Sequence, residues 1–274
     1  MAYSKLKAEI RRHWRARALE EMKRRGMPIP PDFKVSLAED GNLDPPDATR
    51  VAKRAVCLAA VRLRGLASEW DEKDQAEFHP QLMNWLRQAE LDDELEPAER
   101  TTIESPPGGL ESRAAINAVW RWEGAAVLAA SLGRIELPPH DQTVDTKACG
   151  DACGLFQPTG ELRRLFQTAQ LTPSLDRTAY ANRAISIHWR LRQHFNAEPK
   201  PLDFANYAAG VKWADFDLRE VRLASGDLSI NGFPITNAAE SDVRTSMSIA
   251  SERHIAANWL IGWNPVYSEV EIPT

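Results

Sequence analysis

The sequence predicts a mainly α-helical protein, a multi-helix globular bundle with a small β-hairpin insertion near residues 221–235. Three observations predict it. Apolar residues recur every three or four positions through most of the chain. Proline and glycine clusters cut that pattern into helix-sized lengths, as at Pro45-Pro46, Pro106-Pro107-Gly108-Gly109 and Pro138-Pro139. One stretch, with turn residues Ser225-Gly226-Asp227 and Asn231-Gly232, replaces the helical period by short apolar runs.

In chain order, Leu6, Ile10, Trp14 and Met22 mark a helix over 3–25, closed by Gly26 and Pro28. A Pro-rich linker follows, so the expected organisation is a basic N-terminal helix at 1–27 and a single helical domain at 28–274. Asp47 reads as the N-cap of a helix running through Val51, Ala55 and Leu58 to about Gly65. Pro80 reads as the first turn of a helix over 80–90, with Leu82, Trp85, Leu86 and Ala89 apolar, and Pro97 opens a short one. In the helix at 110–133, Ile116, Val119, Trp120 and Val127 form one stripe with Glu123 in its middle, and Gly133 ends it. Residues 138–160 read as loop, and a short helix covers 160–169. The helix at 176–196 carries Tyr180, Ala184, Ile187, Leu191 and Phe195 on one face, flanked by His188 and His194. The last helix, about 239–263, is apolar on nearly every side from Ile255 and is expected at the centre. The tail from Val266 alternates and is expected to be extended.

Composition narrows the class. The chain has 274 residues, of which 43% are hydrophobic and 27% charged, enough for a core without staples. No run approaches the roughly 20 apolar residues of a membrane span. Three cysteines, an odd number, argue against a disulfide scaffold and point to the cytoplasm. Nine basic and three acidic residues lie in 1–27, and twelve acidic and three basic residues in 69–104. The basic segment reads as a nucleic-acid arm or as a solvated face, and the acidic one as a docking face for a basic partner or as a solvated face. A net charge of -5 argues against nucleic acid as the main partner.

Glu123, His188, Glu252, Arg253, His254 and Asn258 are the polar residues expected inside. They read either as a network locking long helices in register or as an acid/base site with Glu123 as base, the histidines moving protons and Arg253 holding an anion. Cys149 and Cys153 are a C-x₃-C pair, short of ligands for zinc, and read as two thiols in a loop. No cofactor is implied. Trp122 and Trp189 project away from the apolar stripes of their helices, toward a second layer or a partner surface.

Several segments resemble the bacterial domain-of-unknown-function 4272 family. They are Gly26-Met-Pro-Ile29, Ala52-Lys-Arg-Ala55, Trp120-Arg-Trp-Glu123, Leu132-Gly133, Leu137-Pro138, His188-Trp189-Arg-Leu191, Glu252-Arg-His254, Asn258-Trp259-Leu260 and Tyr267-Ser-Glu269. The terminal segment is the most specific and the N-terminal one the least, and the Gly226-Asp-Leu228 hairpin looks like an insertion seen in some members. The resemblance implies a mainly α-helical bacterial cytoplasmic protein and implies no activity.

The expectation from these readings is a non-catalytic interaction protein, of the immunity or accessory kind, that neutralises a basic bacterial toxin or effector. The rival is a hydrolase-like enzyme with a buried Glu/His acid-base site. A third reading is a regulator that places its basic N-terminal helix on nucleic acid.

Overall fold

A computed structural model describes residues 45–196, 200–211 and 214–272. The basic segment 1–27 and the Pro-rich linker lie outside the described residues. The fold is mainly α-helical, and its core is a row of four long helices. In chain order the elements are α1 (Ala48–Ala67), α2 (Glu72–Gln88), α3 (Pro97–Glu104), α4 (Ser112–Ser131), α5 (Thr146–Cys153), α6 (Thr159–Thr168), α7 (Arg177–Asn196) and α8 (Phe204–Gly210). Then come β1 (Leu223–Ala224), β2 (Asp227–Ile230), β3 (Phe233–Pro234) and α9 (Glu240–Leu260). Helix α1 packs along α4, α4 along α9, and α9 along α7. Helices α2 and α6 cover the far side of α1, while the strands and α8 close the far side of α7.

Helix α1 begins where Asp47 accepts a hydrogen bond from the Arg50 N–H at 2.8 Å. Its apolar residues face two ways. Val51, Ala55, Leu58 and Ala59 meet α4 and α9, while Val56, Cys57, Ala60 and Val61 meet α2 and α6. The α1–α4 approach is close because small residues line it: a Cβ on Gly65 would lie 2.7 Å from the Ala118 Cβ.

Helix α4 ends as expected, with Gly133 in the left-handed region (φ 71°) and the Arg134 N–H returning to Ala129 O at 3.0 Å. Its buried face differs from the expected stripe. Ile116 is 59% exposed and Val119 and Trp120 are half-buried, whereas Ala115, Ala118 and Trp122 are buried. A stripe ranked by side-chain size misses a contact made by alanines. Trp122 is therefore a core residue, with the Arg62 guanidinium 4.6 Å from its ring centroid.

Four other expectations are corrected. Helix α2 starts at Glu72, capped by Asp71, so Pro80 lies inside it; Ala76, whose carbonyl loses a partner there, is exposed to water. Residues 138–160 are not all loop, because Asp145 caps α5 and Gly154 (φ 81°) ends it, placing Cys149 and Cys153 on a helix. The tail is not extended: Tyr267–Glu269 form a 3₁₀ turn, and Tyr267 is fully buried. Helix α9 stops at Leu260, with Gly262 (φ 80°) in the left-handed position behind it.

The expected hairpin is a three-stranded antiparallel meander in the order β1-β2-β3. Leu223 pairs with Leu228, and Ile230 with Phe233. Both connections have positive φ at both turn residues, Ser225-Gly226 and Asn231-Gly232.

Candidate functional site

Glu123 on α4 is buried, as its position in the helical period predicts, and its partner is Arg253 on α9. Arg253 donates to Glu123 Oε2 from Nε at 2.9 Å and from Nη2 at 2.7 Å. Its other N–H groups meet the carbonyls of Pro138 (3.0 Å), Pro139 (3.1 Å) and Gln142 (2.8 Å). All five guanidinium donors are thus used. The second Glu123 oxygen accepts from the Val144 N–H at 3.0 Å. The pair therefore clamps the 138–144 segment between α4 and α9. The same segment is pinned to the meander: His140 Nε2 donates to Ser229 O at 2.7 Å, and Asp141 accepts from the Asn231 N–H at 2.8 Å. Burial pushes the His140 pKa down, which keeps the imidazole neutral.

His188 on α7 and His254 on α9 face each other, Nδ1 to Nδ1, at 3.0 Å. The network assigns the protons. Ser251 Oγ donates to Met247 O at 2.9 Å, so it accepts from His188 Nε2, 3.2 Å away. His188 Nδ1 then accepts from the His254 Nδ1–H, and His254 Nε2 is left buried without a partner. Burial lowers the pKa to about 4 for His188, helped by Arg192, and to about 3 for His254, helped by His188. Both rings are neutral at pH 7.

Glu252 forms a separate ion pair with Arg121 at 3.2 Å. Asn258 Nδ2 donates to Glu271 O at 3.2 Å and holds the C-terminal segment. The predicted residues thus fall into separate clusters: Glu123 with Arg253, His188 with His254, and Arg121 with Glu252. No hydrogen bond joins Glu123 to either histidine among the described residues.

Cys149 and Cys153 stand one turn apart on α5, both buried against α4. The neighbouring Cys153 thiol and burial push Cys149 up, so it is a neutral thiol. No group of three or more His, Cys, Asp or Glu suited to a metal occurs among the described residues. Trp189 stacks on Tyr207, with ring centroids 4.5 Å apart and planes 7° from parallel, and neighbours Phe204 and Phe216. Of the two indoles read as facing a second layer or a partner surface, Trp122 is buried in the core and Trp189 is half-buried in this aromatic cluster.

Sequence reasoning missed two buried charge clusters. Arg190 on α7 holds Asp227, read from the sequence as a turn residue. Arg54 on α1, 1% exposed, ion-pairs with Glu99 and lies 3.5 Å from Glu96 and 3.7 Å from Glu94. Glu96 in turn accepts from the N–H groups of Tyr267 (2.6 Å) and Ser268 (2.9 Å). Three carboxylates of the acidic segment, Glu94, Glu96 and Glu99, thus meet Arg54, and Glu96 also holds the 267–268 turn.

The start of the acidic segment faces water. Glu69, Asp71, Glu72, Asp74 and Glu77 are exposed, and an aromatic ladder runs beside them. Trp70 meets Phe78 at 5.0 Å between centroids, Phe78 meets Phe156 at 6.1 Å, and Phe156 meets Trp85 at 5.0 Å. Trp70 is 37% and Phe156 44% exposed. Phe156 has φ 56°, a left-handed backbone unusual for a bulky residue, two residues past the Gly154 that ends α5. Phe78 and Trp85 are seven positions apart on one helix, a spacing that signals a shared face; Phe156 joins them only through the fold.

These features define a helical protein in which Glu123, Asp227 and Glu99 are buried against arginines and one outward face is acidic and aromatic-lined. The chain belongs to the family described as Domain of unknown function (DUF4272), which matches residues 15–204. The match ends at Phe204, so the meander, α9 and the terminal segment read as most specific lie beyond it. No curated protein and no solved structure matches the chain. No helix among the described residues is long and apolar enough to cross a membrane.

Proposed function

We propose that this is a non-catalytic interaction protein whose α2 face docks a basic protein partner. The observation that carries the reading is the Trp70–Phe78–Phe156–Trp85 ladder, exposed at Trp70 and Phe156, beside carboxylates that have no ion-pair partner among the described residues. Aromatic anchors supply the contact energy of protein interfaces, and a surrounding field of one sign steers a partner of the other. The buried network supports the same reading, since Arg253 has no spare donor and both histidines are neutral and enclosed. The narrower reading is an immunity or accessory protein that neutralises a basic bacterial toxin or effector, in a cytoplasmic setting.

Co-purification from the source cell, followed by calorimetry with the purified partner, tests it. The expected partner is basic, and binding weakens as salt rises from roughly 50 to roughly 300 mM. Trp70→Ala and Phe156→Ala should each weaken binding about tenfold or more without lowering Tm. A complex indifferent to both substitutions and to salt sinks the reading, as does a turnover that Glu123→Gln abolishes while the fold survives.

A further inference from the structure

A cleft of about 670 Å³ opens between α7, α9 and residues 135–140, on surface other than the α2 face. Its size and mixed lining match those of small-molecule sites. Leu137, Ile187 and Ile249 give it apolar walls, and Arg183 and Arg222 supply cations. Arg253 also reaches the lining, but its donors are all committed to Glu123 and the 138–142 carbonyls.

The two other arginines are differently placed. Arg222 is exposed and has no carboxylate partner among the described residues. Arg183 has a side chain only 19% exposed, and its Nε–H is buried without an acceptor. Leaving such a donor unmet is costly, and because this one is sealed from solvent a ligand would meet the terminal nitrogens of Arg183 first. Arg183 already holds one carboxylate, that of Glu220, which shows what chemistry the position accepts. Glu220 is 76% exposed on its side chain, and exposed ion pairs contribute little net stability, so a competing carboxylate can displace it. Its backbone also stands at φ 63°, a conformation non-glycine residues seldom adopt.

We infer that this cleft binds a small carboxylate with an apolar body. The head sits on Arg183 and Arg222, where a guanidinium can offer two parallel N–H groups to one carboxylate. The body lies against Leu137, Ile187 and Ile249. The inference does not rest on the proposed partner face and survives its loss.

Decanoate, kept well below its micellar range, is the probe, with decanol as the uncharged match. Titration calorimetry on the full chain should show saturable decanoate binding and a raised Tm, with decanol at least about tenfold weaker. Arg183→Gln and Arg222→Gln should each weaken decanoate about tenfold and leave decanol unchanged. Glu220→Gln should tighten decanoate, a gain that cannot come from a damaged fold. No saturable decanoate binding, equal affinity for decanol, or affinity unchanged in both arginine variants and in Glu220→Gln would overturn the inference.

Discussion

Arg190 and Asp227, 37 residues apart in sequence, form a two-pronged ion pair, Nε to Oδ1 at 2.7 Å and Nη2 to Oδ2 at 2.6 Å, with both side chains buried. The carboxylate also accepts from the Leu228 N–H at 2.8 Å and the Leu202 N–H at 3.1 Å. One pair therefore joins α7, the meander and the segment leading into α8. Removing one partner of a buried pair leaves an uncompensated charge. Asp227→Ala should cost about 3–5 kcal/mol in urea unfolding, whereas an Arg190→Met, Asp227→Leu double variant should recover much of that loss. A cost below about 1 kcal/mol for Asp227→Ala would show that the pair does not anchor the meander.

Glu123→Gln keeps the shape of the side chain and removes the charge opposite Arg253. The expected loss is about 2–4 kcal/mol of unfolding free energy. Hydrogen exchange at Val144, whose N–H bonds Glu123, should quicken, while exchange in α2 stays as it was. Unchanged protection at Val144 would contradict the clamp described for residues 138–144.

Gly124 touches Tyr267: a Cβ at position 124 would overlap the Tyr267 Oη. That hydroxyl is buried and has no partner among the described residues. Gly124→Ala should therefore destabilise by about 2 kcal/mol or more, despite alanine's better helix propensity. Tyr267→Phe alone should be neutral or stabilising, and it should relieve much of the Gly124→Ala loss. Additive effects in the double variant would show that the two residues do not meet.

The histidine pair makes stability fall in acid. In the unfolded chain both rings titrate near 6.5, while in the fold His188 titrates at about 4 and His254 at about 3. Below pH 6.5 the unfolded state takes up protons that the folded state refuses. Each histidine then contributes a loss of up to about 1.4 kcal/mol per pH unit, down to its folded pKa. Glu94 and Glu252, pushed up by burial, act in the opposite sense, so the comparison is between proteins. The unfolding free energy of His254→Gln should fall less steeply than that of wild type between pH 6.5 and 4. Parallel curves would refute the assignment.

What the amino-acid order determined on its own is local. Asp47 as a cap, Gly133 as a helix stop, the Asn231-Gly232 turn and the inward position of Glu123 all follow from interactions within one or two turns of chain. The family was legible for the same reason, in short segments such as Trp120-Arg-Trp-Glu123. What only the tertiary structure decided is which charge meets which: Glu123 with Arg253, Asp227 with Arg190, and Arg54 with Glu99. It also decided that alanines rather than Ile116 face the core of α4, and that Phe156 completes a ladder begun on α2. Helical period and capping act over a few residues, whereas these pairings exist only once separate helices pack. Several side chains of the same charge compete for each partner, and burial, not spacing along the chain, selects among them.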